Sequence, residues 1–491
     1  MSFVLAIDQS TSGTKAVLFD RAGRVHDLEA RGHEQHYPQP GWVEHDAEEI
    51  WHNTVAVVRE VLRRASGEAK APAFLSLTNQ RETFVVFDRA TGRPLYHAIV
   101  WQCRRGHSLC RQLTAAGQEA LIRRRTGLKI DSYFSASKLT WLVRERPDLA
   151  TRLASGDALI GTIDTYLIYR LTGGKVFATD PTNASRTLLF DNQRLRWDEE
   201  LCRLFEVPRR ALPEVRESGA SFGTTDLAGA FSQPVPIRGV LGDSQAALFA
   251  QGCFQPGMIK ATFGSGTSVL LNIGDFFRLT EGGAVTALAW VLDGRPTYAL
   301  EGLINCSGAT VSWLKDQLGL IREAAETEDL ARSVADNGGV YLVPAFAGLG
   351  APYWKPDAGA AILGMTAHTT RAHVVRAALE SIAYQVRDVL EMMASVGVAP
   401  RTILADGGAT RNPFLMQTVA DICGLEVDAS NVPELSALGA SWFGMLGAGW
   451  QPSLEALAAL PRDRRHYRPQ MDPARAERLH AGWKQAVQRV L

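Results

Sequence analysis

Paired cysteines are the first thing this chain lacks. Its six, Cys103, Cys110, Cys202, Cys253, Cys306 and Cys423, are scattered without a C-x-x-C spacing, which removes the zinc and dithiol motifs. A surplus of either charge is missing too: Lys plus Arg and Asp plus Glu are 52 each, whereas a nucleic-acid partner would normally leave a basic excess. The signature G-x-x-x-x-G-K-[ST] occurs nowhere, so any phosphate is not gripped as in a P-loop enzyme. The N-terminus reaches Asp8 after seven residues with no basic stretch and apolar core; no signal peptide is expected, and a cytoplasmic, reducing setting is. The sequons at Asn183 and Asn305 are then chance matches. The uncharged run from Leu435 to Leu454 contains Ser, Gln, Pro and several glycines, and a buried helix over LSALGASWFGMLGAG is expected there rather than a membrane span.

What is present is ordinary globular material. The chain has 491 residues, 46% of them hydrophobic and 21% charged, enough for two large domains or three small ones. Near the middle, an apolar run from Val240 ends at Asp243, and a short helical segment, Ala246 to Gln251, follows it. Next come a strand, a Gly/Ser/Thr turn and another strand, IKATFGSGTSVLLNIG. That hairpin repeats the start of the chain, where strand Val4 to Ile7, a polar turn from Asp8 to Thr14 and strand Ala16 to Phe19 are read. Turns of this composition let backbone N–H groups and hydroxyls approach phosphate oxygens closely. Two of them half a chain apart suggest a duplicated domain with a nucleotide between the copies, although each alone is also consistent with an ordinary hairpin.

Between the hairpins, a helix beginning after an Asp46 N-cap is expected from Ile50, Val57, Val58, Val61 and Leu62. The polar corner Asn79 to Glu82 falls between strands Ala73 to Thr78 and Thr83 to Phe87, a place where α/β proteins often hold ligands. A strand is expected over Ala98 to Trp101, and Tyr133 sits in a loop before a helix that Pro147 stops. Ser218 to Gln233 is polar and Gly-rich, which puts a domain boundary just after it. In the second half, strands are expected over Thr286 to Trp290 and Thr297 to Glu301. A helix opens near Gly308, and a long amphipathic helix runs through Val374, Ile382, Val389 and Met393. RTILADGGATRNPFLMQ reads as strand, Gly-Gly turn and helix, a turn on which a flat or phosphorylated group can lie.

The segments AIDQSTSGTKAVLFD, QHYPQPGWVEHDAEEIW, LTNQRETFVVFD, AIVWQCRRG, TGLKIDSYFSASK, TDPTNASRTLLFD, YLVPAFAGLGAPYW and ADGGATRNPFLMQ, in this order along nearly the whole chain, resemble the FGGY carbohydrate kinases, and their glycerol kinase branch most closely. The resemblance implies an α/β fold of two actin-like (ribonuclease-H-like) ATPase domains with a nucleotide cleft between them, divided here as 1–240 and 241–491. It implies ATP-dependent phosphorylation of a terminal hydroxyl of glycerol or a closely related small polyol or ketose. Asp243 is implied as general base, a role that typically contributes ~10²–10⁴ in rate; a helix N-cap is its alternative use. Arg81, Glu82, Trp101, Tyr133, Asp243 and Ser244 are implied on the substrate side, and Asp8 at Mg²⁺. Thr11, Ser12, Gly13 and Lys15 match the first phosphate loop and Ser265 the second, while Gly308, Ser312, Gly408 and Asn412 match the adenosine side.

Departures from the glycerol kinase pattern leave the substrate open. Ser244 stands where Gln is usual, Ser268 where an aromatic residue is common, and Ser312 where a nucleotide-side Gln is usual. The Gly-Gly-Lys-Gly-Gly loop that binds fructose bisphosphate in some members is absent from TTDLAGAFSQP. A kinase for a four- or five-carbon polyol or ketose with little glycerol activity is the alternative, and an actin- or Hsp70-type ATPase is the alternative of another class. The expected partner is a small polyol or sugar, with no nucleic acid and no membrane span. The oligomeric state, a homo-oligomer included, stays open.

Overall fold

The computed structural model describes residues 2–67, 71–280, 283–355 and 357–491. The chain opens with the expected hairpin, β1 (Phe3–Gln9) against β2 (Gly13–Asp20), extended by β3 (Val25–Gly32). Helix α1 (Ala47–Arg64) starts where the Asp46 side chain accepts from the Glu48 N–H, and a buried stripe through Ile50, Val57, Val58 and Val61 seats it on the sheet. The return strands β4 (Phe74–Asn79) and β5 (Val235–Gly242) are parallel to β1 and to each other. These strands are buried along most of their length, as a sheet covered on both faces requires. A small antiparallel sheet, Glu44–His45, Ala98–Ile99, Phe84–Asp88 and Ala158–Thr162, lies beside them. The strand expected over Ala98 to Trp101 is thus only two residues long.

The second half repeats the pattern. Helix α2 (Asp243–Ala250) leads into β6 (Met258–Phe263) and β7 (Thr267–Gly274), the second hairpin. Strands β8 (Val285–Leu292) and β9 (Arg295–Ile304) follow, then α3 (Gly308–Asp316) and the 24-residue α4 (Arg371–Ala394). Strand β10 (Thr402–Asp406), α5 (Pro413–Cys423), β11 (Glu426–Ser430), α6 (Leu435–Gly447) and β12 (Arg464–Tyr467) complete the layer. The first sheet runs β3-β2-β1-β4-β5 before a short edge pair at Thr224–Thr225, and the second contains β9-β7-β6-β10-β11 flanked by β8 and β12. In both, the hairpin is antiparallel and the next two strands are parallel, so the fold is a duplicated α/β unit with actin-like topology, as the resemblance implied.

The two sheets share one apolar layer. Val4, Ala6, Val17 and Phe19 of the first cluster with Leu270, Ala299 and Leu404 of the second, and α2 and α6 lie in the same cluster. Helix α6, the uncharged run, is therefore a buried helix. No helix among the described residues is long and apolar enough to cross a membrane.

Candidate active site

Asp243 emerges from the end of β5 as the first residue of α2. Gly242, not Asp243, is the N-cap. The Asp243 Oδ1 accepts from the adjacent Ser244 N–H at 2.6 Å and lies 3.3 Å from Arg81 Nε. Its side chain keeps 37% of its surface exposed, which leaves a carboxylate open on the cleft while its partner Arg81 is buried. Asp8 ends up close by: burial pushes its carboxyl up to about 7, Lys15 opposes the rise, and the charges of Asp243 and Glu434 add to it. The Lys15 ammonium is held by both oxygens of Glu434, at 3.0 and 2.9 Å, so the first hairpin is tied to the second half of the chain.

Arg81 and Glu82 sit at the corner after β4, where Glu82 takes a left-handed backbone with φ 65°. Arg81 donates to Glu301 Oε1 at 2.8 Å and to Gln245 Oε1 at 3.3 Å. Glu82 accepts from Arg186 Nε at 2.5 Å. The Tyr133 ring packs 5.3 Å from Trp101, and burial raises its phenol above the ordinary value. The Trp101 indole donates to Thr11 Oγ1 at 2.9 Å, which joins the Trp101–Tyr133 pair to the β1–β2 turn. Thr11, Ser12 and Gly13 form the β1–β2 turn, with Ser12 exposed. Gly13 cannot carry a side chain there, because a Cβ would lie 2.5 Å from the Arg31 carbonyl oxygen.

On the other side of the cleft, Ser265 caps the β6–β7 hairpin. Its carbonyl accepts from the Ser307 and Ala309 N–H groups, and the Gly264 carbonyl accepts from Gly308 N–H. A Cβ on Gly308 would stand 2.6 Å from that Gly264 oxygen, so the start of α3 can approach the loop only with glycine. Ser265, Gly308, Ser312, Gly408 and Asn412 line one cavity of about 600 Å³. Its size suits a nucleoside. Asn412 also caps α5 through the Leu415 N–H and donates to Thr327 Oγ1 at 3.0 Å.

Ser265, Gly308, Ser312, Gly408 and Asn412 are thus brought to one cavity, and Arg81 to Asp243 and Trp101 to Thr11 and Tyr133 by direct contact, but sequence reasoning missed the residues that hold them. Glu301 pairs with Arg81 and Arg186. Lys138 donates to the Ser132 and Tyr133 carbonyls at 2.6 and 2.7 Å, and burial pulls its ammonium down to about 8. Their signal in the sequence is only a charge at a position otherwise expected to be core. Ser244, the second residue of α2, is half-buried at the cleft. Ser268 lies on β7 opposite Thr262 and Leu303; the hydroxyls of Ser268 and Thr262 are both buried without a partner.

Comparison with known proteins bears on this geometry directly. Residues 3–250 match the model of the N-terminal domain of the FGGY family of carbohydrate kinases, and residues 261–448 match that of its C-terminal domain. The chain is 48% identical to a glycerol kinase of Stenotrophomonas maltophilia over 99% of its own length and 97% of that protein. It is 47% identical to glycerol kinase 1 of Thermotoga maritima over 100% and 99% of the two chains. The crystal structure of Plasmodium falciparum glycerol kinase with ADP superposes with a TM-score of 0.95 at 36% identity, over 100% of this chain and 98% of that one.

Proposed function

The chain belongs to the FGGY family of carbohydrate kinases, and we propose that it transfers the γ-phosphoryl group of ATP to a terminal hydroxyl of glycerol or a closely related small polyol, in the cytoplasm that supplies the ATP. The observation that carries this reading is the open Asp243 carboxylate, 3.3 Å from the buried Arg81 guanidinium, in a chain that also holds a nucleoside-sized cavity lined by Ser265, Gly308, Gly408 and Asn412. Phosphoryl transfer needs little covalent chemistry from the protein. It needs a base in reach of the attacking hydroxyl and well-placed charge.

In this scheme Asp243 takes the hydroxyl proton. Arg81, which can only donate, and Glu82, which accepts when ionised, grip adjacent hydroxyls, while Trp101 and Tyr133 pack against the carbon chain and Ser244 faces it from α2. Thr11, Ser12, Gly13 and Lys15 receive the phosphates with Ser265, and Gly308, Ser312, Gly408 and Asn412 receive the adenosine. A buried carboxylate raised towards 7, with the charges of Asp243 and Glu434 set against that of Lys15, is a hard oxygen donor that a further cation would favour, so Asp8 fits Mg²⁺ held through water. Such an ion, when bound, neutralises charge on the phosphoryl oxygens. The division at 240 and 241 is proposed as the line between the two moving halves.

A second reading, a kinase for four- or five-carbon polyols or ketoses, is favoured by the unpartnered hydroxyls of Ser268 and Thr262. Buried hydroxyls without partners are costly and suit extra substrate hydroxyls. The Arg81, Glu82, Tyr133 and Asp243 constellation has no use in an actin- or Hsp70-type ATPase, which counts against that class.

The test is ATP consumption by the purified protein with glycerol, erythritol, threitol, erythrulose, xylulose and ribulose, compared by kcat/KM. Glycerol ahead of every longer substrate by about tenfold or more supports the first reading, and the reverse order the second. Asp243→Asn should keep MgATP binding and lose on the order of 10²-fold or more in turnover. Near-normal turnover in that variant would remove Asp243 as the base.

A further inference from the structure

Glu301 has no exposed side-chain surface; Lys260 of its own sheet acts on it only as a nearby charge, a smaller effect than that of Arg186 or Arg81. Glu301 lies on β9, in register with Leu270 and Val285, and reaches out of the second half of the chain to two arginines of the first. Its Oε1 accepts from Arg81 Nη2 at 2.8 Å, and its Oε2 lies 2.6 Å from Arg186 Nη1. Arg186, only 1% exposed, donates its Nε to Glu82 and lies 5.8 Å from the Tyr133 ring and 5.1 Å from the Phe134 ring. Arg81, Glu82 and Tyr133, the polyol-side residues of the first half, are therefore all held by this one carboxylate, either directly or through Arg186.

We infer that Glu301 is the positioning residue of the polyol clamp: seated on the second sheet, it fixes how the Arg81 guanidinium and the Arg186–Glu82 pair of the first present themselves to the substrate. This rests on the proposed kinase reading of the same cleft. The five donors of an arginine form a rigid fork. With Nη2 anchored on Glu301 and Nη1 on Gln245, the Nε edge is turned to Asp243. Without the anchor, Arg81 is free to close on Asp243 as a bidentate pair and occupy the base. Arg186, left with one carboxylate instead of two, would draw Glu82 inward. Stability alone is a weak reason to keep such a cluster, because burying paired charges gains little over well-packed apolar groups. Burial by itself would raise the Glu301 carboxyl, but Arg186 and Arg81 outweigh it and hold the group at about 2, so the anchor stays ionised at any working pH. Since Glu301 and Arg81 sit on different sheets, the clamp has its working shape only while the two halves are apposed.

Steady-state kinetics on Glu301→Gln and Glu301→Asp test this, with the best polyol of the panel and with MgATP affinity measured separately by calorimetry. The amide of Glu301→Gln can serve one arginine but turns an N–H towards the other, so the polyol KM should rise about tenfold or more while MgATP affinity stays within about twofold. Glu301→Asp keeps the charge on a shorter arm and should recover a large part of the loss. A general disturbance of the second sheet would weaken MgATP as well, because the adenosine cavity is lined by Phe263 of that sheet and by the loops at its strand ends. A polyol KM within about twofold of wild type in Glu301→Gln, or MgATP affinity falling in step with it, would overturn the inference. If Glu301→Gln does not fold, Glu301→Asp decides alone: an intermediate rise in polyol KM with unchanged MgATP affinity supports the role, and wild-type kinetics overturn it. A wild-type protein inert towards every polyol would instead overturn the proposed function and the clamp with it.

Discussion

At the scale of single residues, the buried acids outside the cleft carry a pH signature. Asp164 lies beneath the first sheet, and burial followed by the nearby Asp180 pushes its carboxyl up to about 7, against the opposing hydrogen bonds from Thr162 and Thr179. A folded-state value above the unfolded one means that the folded protein holds a proton which the unfolded chain releases. The associated stability is complete below about pH 4 and is lost as pH rises through about 7. Asp164→Asn mimics the protonated form. Its advantage over wild type should be larger near pH 8 than near pH 5, by roughly 1.4 kcal/mol for each pH unit between 5 and the folded-state value, measured as thermal or urea stability at the two pH values. An equal difference at both would show that the effect is packing and not titration.

At the scale of elements, the position of Asp243, the proposed base, depends on two helices in contact. Asp243 heads α2, and α6 lies across it so closely that a Cβ on Gly439 would stand 1.8 Å from the Ala246 carbonyl oxygen. Ser436 of α6 also donates to the Asp243 carbonyl at 3.1 Å. Gly439→Ala must therefore push the helices apart. Overpacking of this kind costs roughly 1–3 kcal/mol, and here the displaced element is the one that aims the carboxylate. We expect lowered stability in denaturant titration together with a fall in kcat larger than any change in MgATP affinity. Stability loss with unchanged kcat would mean that α2 keeps its place while α6 alone gives way.

At the scale of the whole molecule, the residues proposed to contact ligands are divided between the halves: Asp8, Lys15, Arg81 and Tyr133 on one side, Asp243, Ser265, Gly308 and Asn412 on the other. Lys15 is tied to Glu434 and Arg81 to Glu301 across the same gap. Closing the halves on both substrates would exclude water and limit idle ATP hydrolysis. Small-angle scattering should give a smaller radius of gyration with a non-hydrolysable ATP analogue and polyol together than without ligands. An unchanged radius would remove the hinge.

The local features were legible in the sequence because they depend on neighbours in the chain. The two Gly/Ser/Thr hairpins, the Asp46-capped helix, the strand ending at Asp243 and the Gly-Gly turn before Asn412 each follow from residues within a few positions, and their order was enough to suggest the duplicated fold and the family. The uncharged run at Leu435 was also readable as a buried helix, from its small and polar residues. Which charges meet across the cleft was not legible. Glu301 and Arg81 are 220 residues apart and Arg186 and Glu82 104, and no local pattern marks a glutamate on a strand as the partner of a distant arginine. Only the tertiary fold brings them together, within the first half for Arg186 and Glu82 and between the two halves for Arg81 and Glu301, because a buried charge must find its counter-charge wherever the fold delivers one.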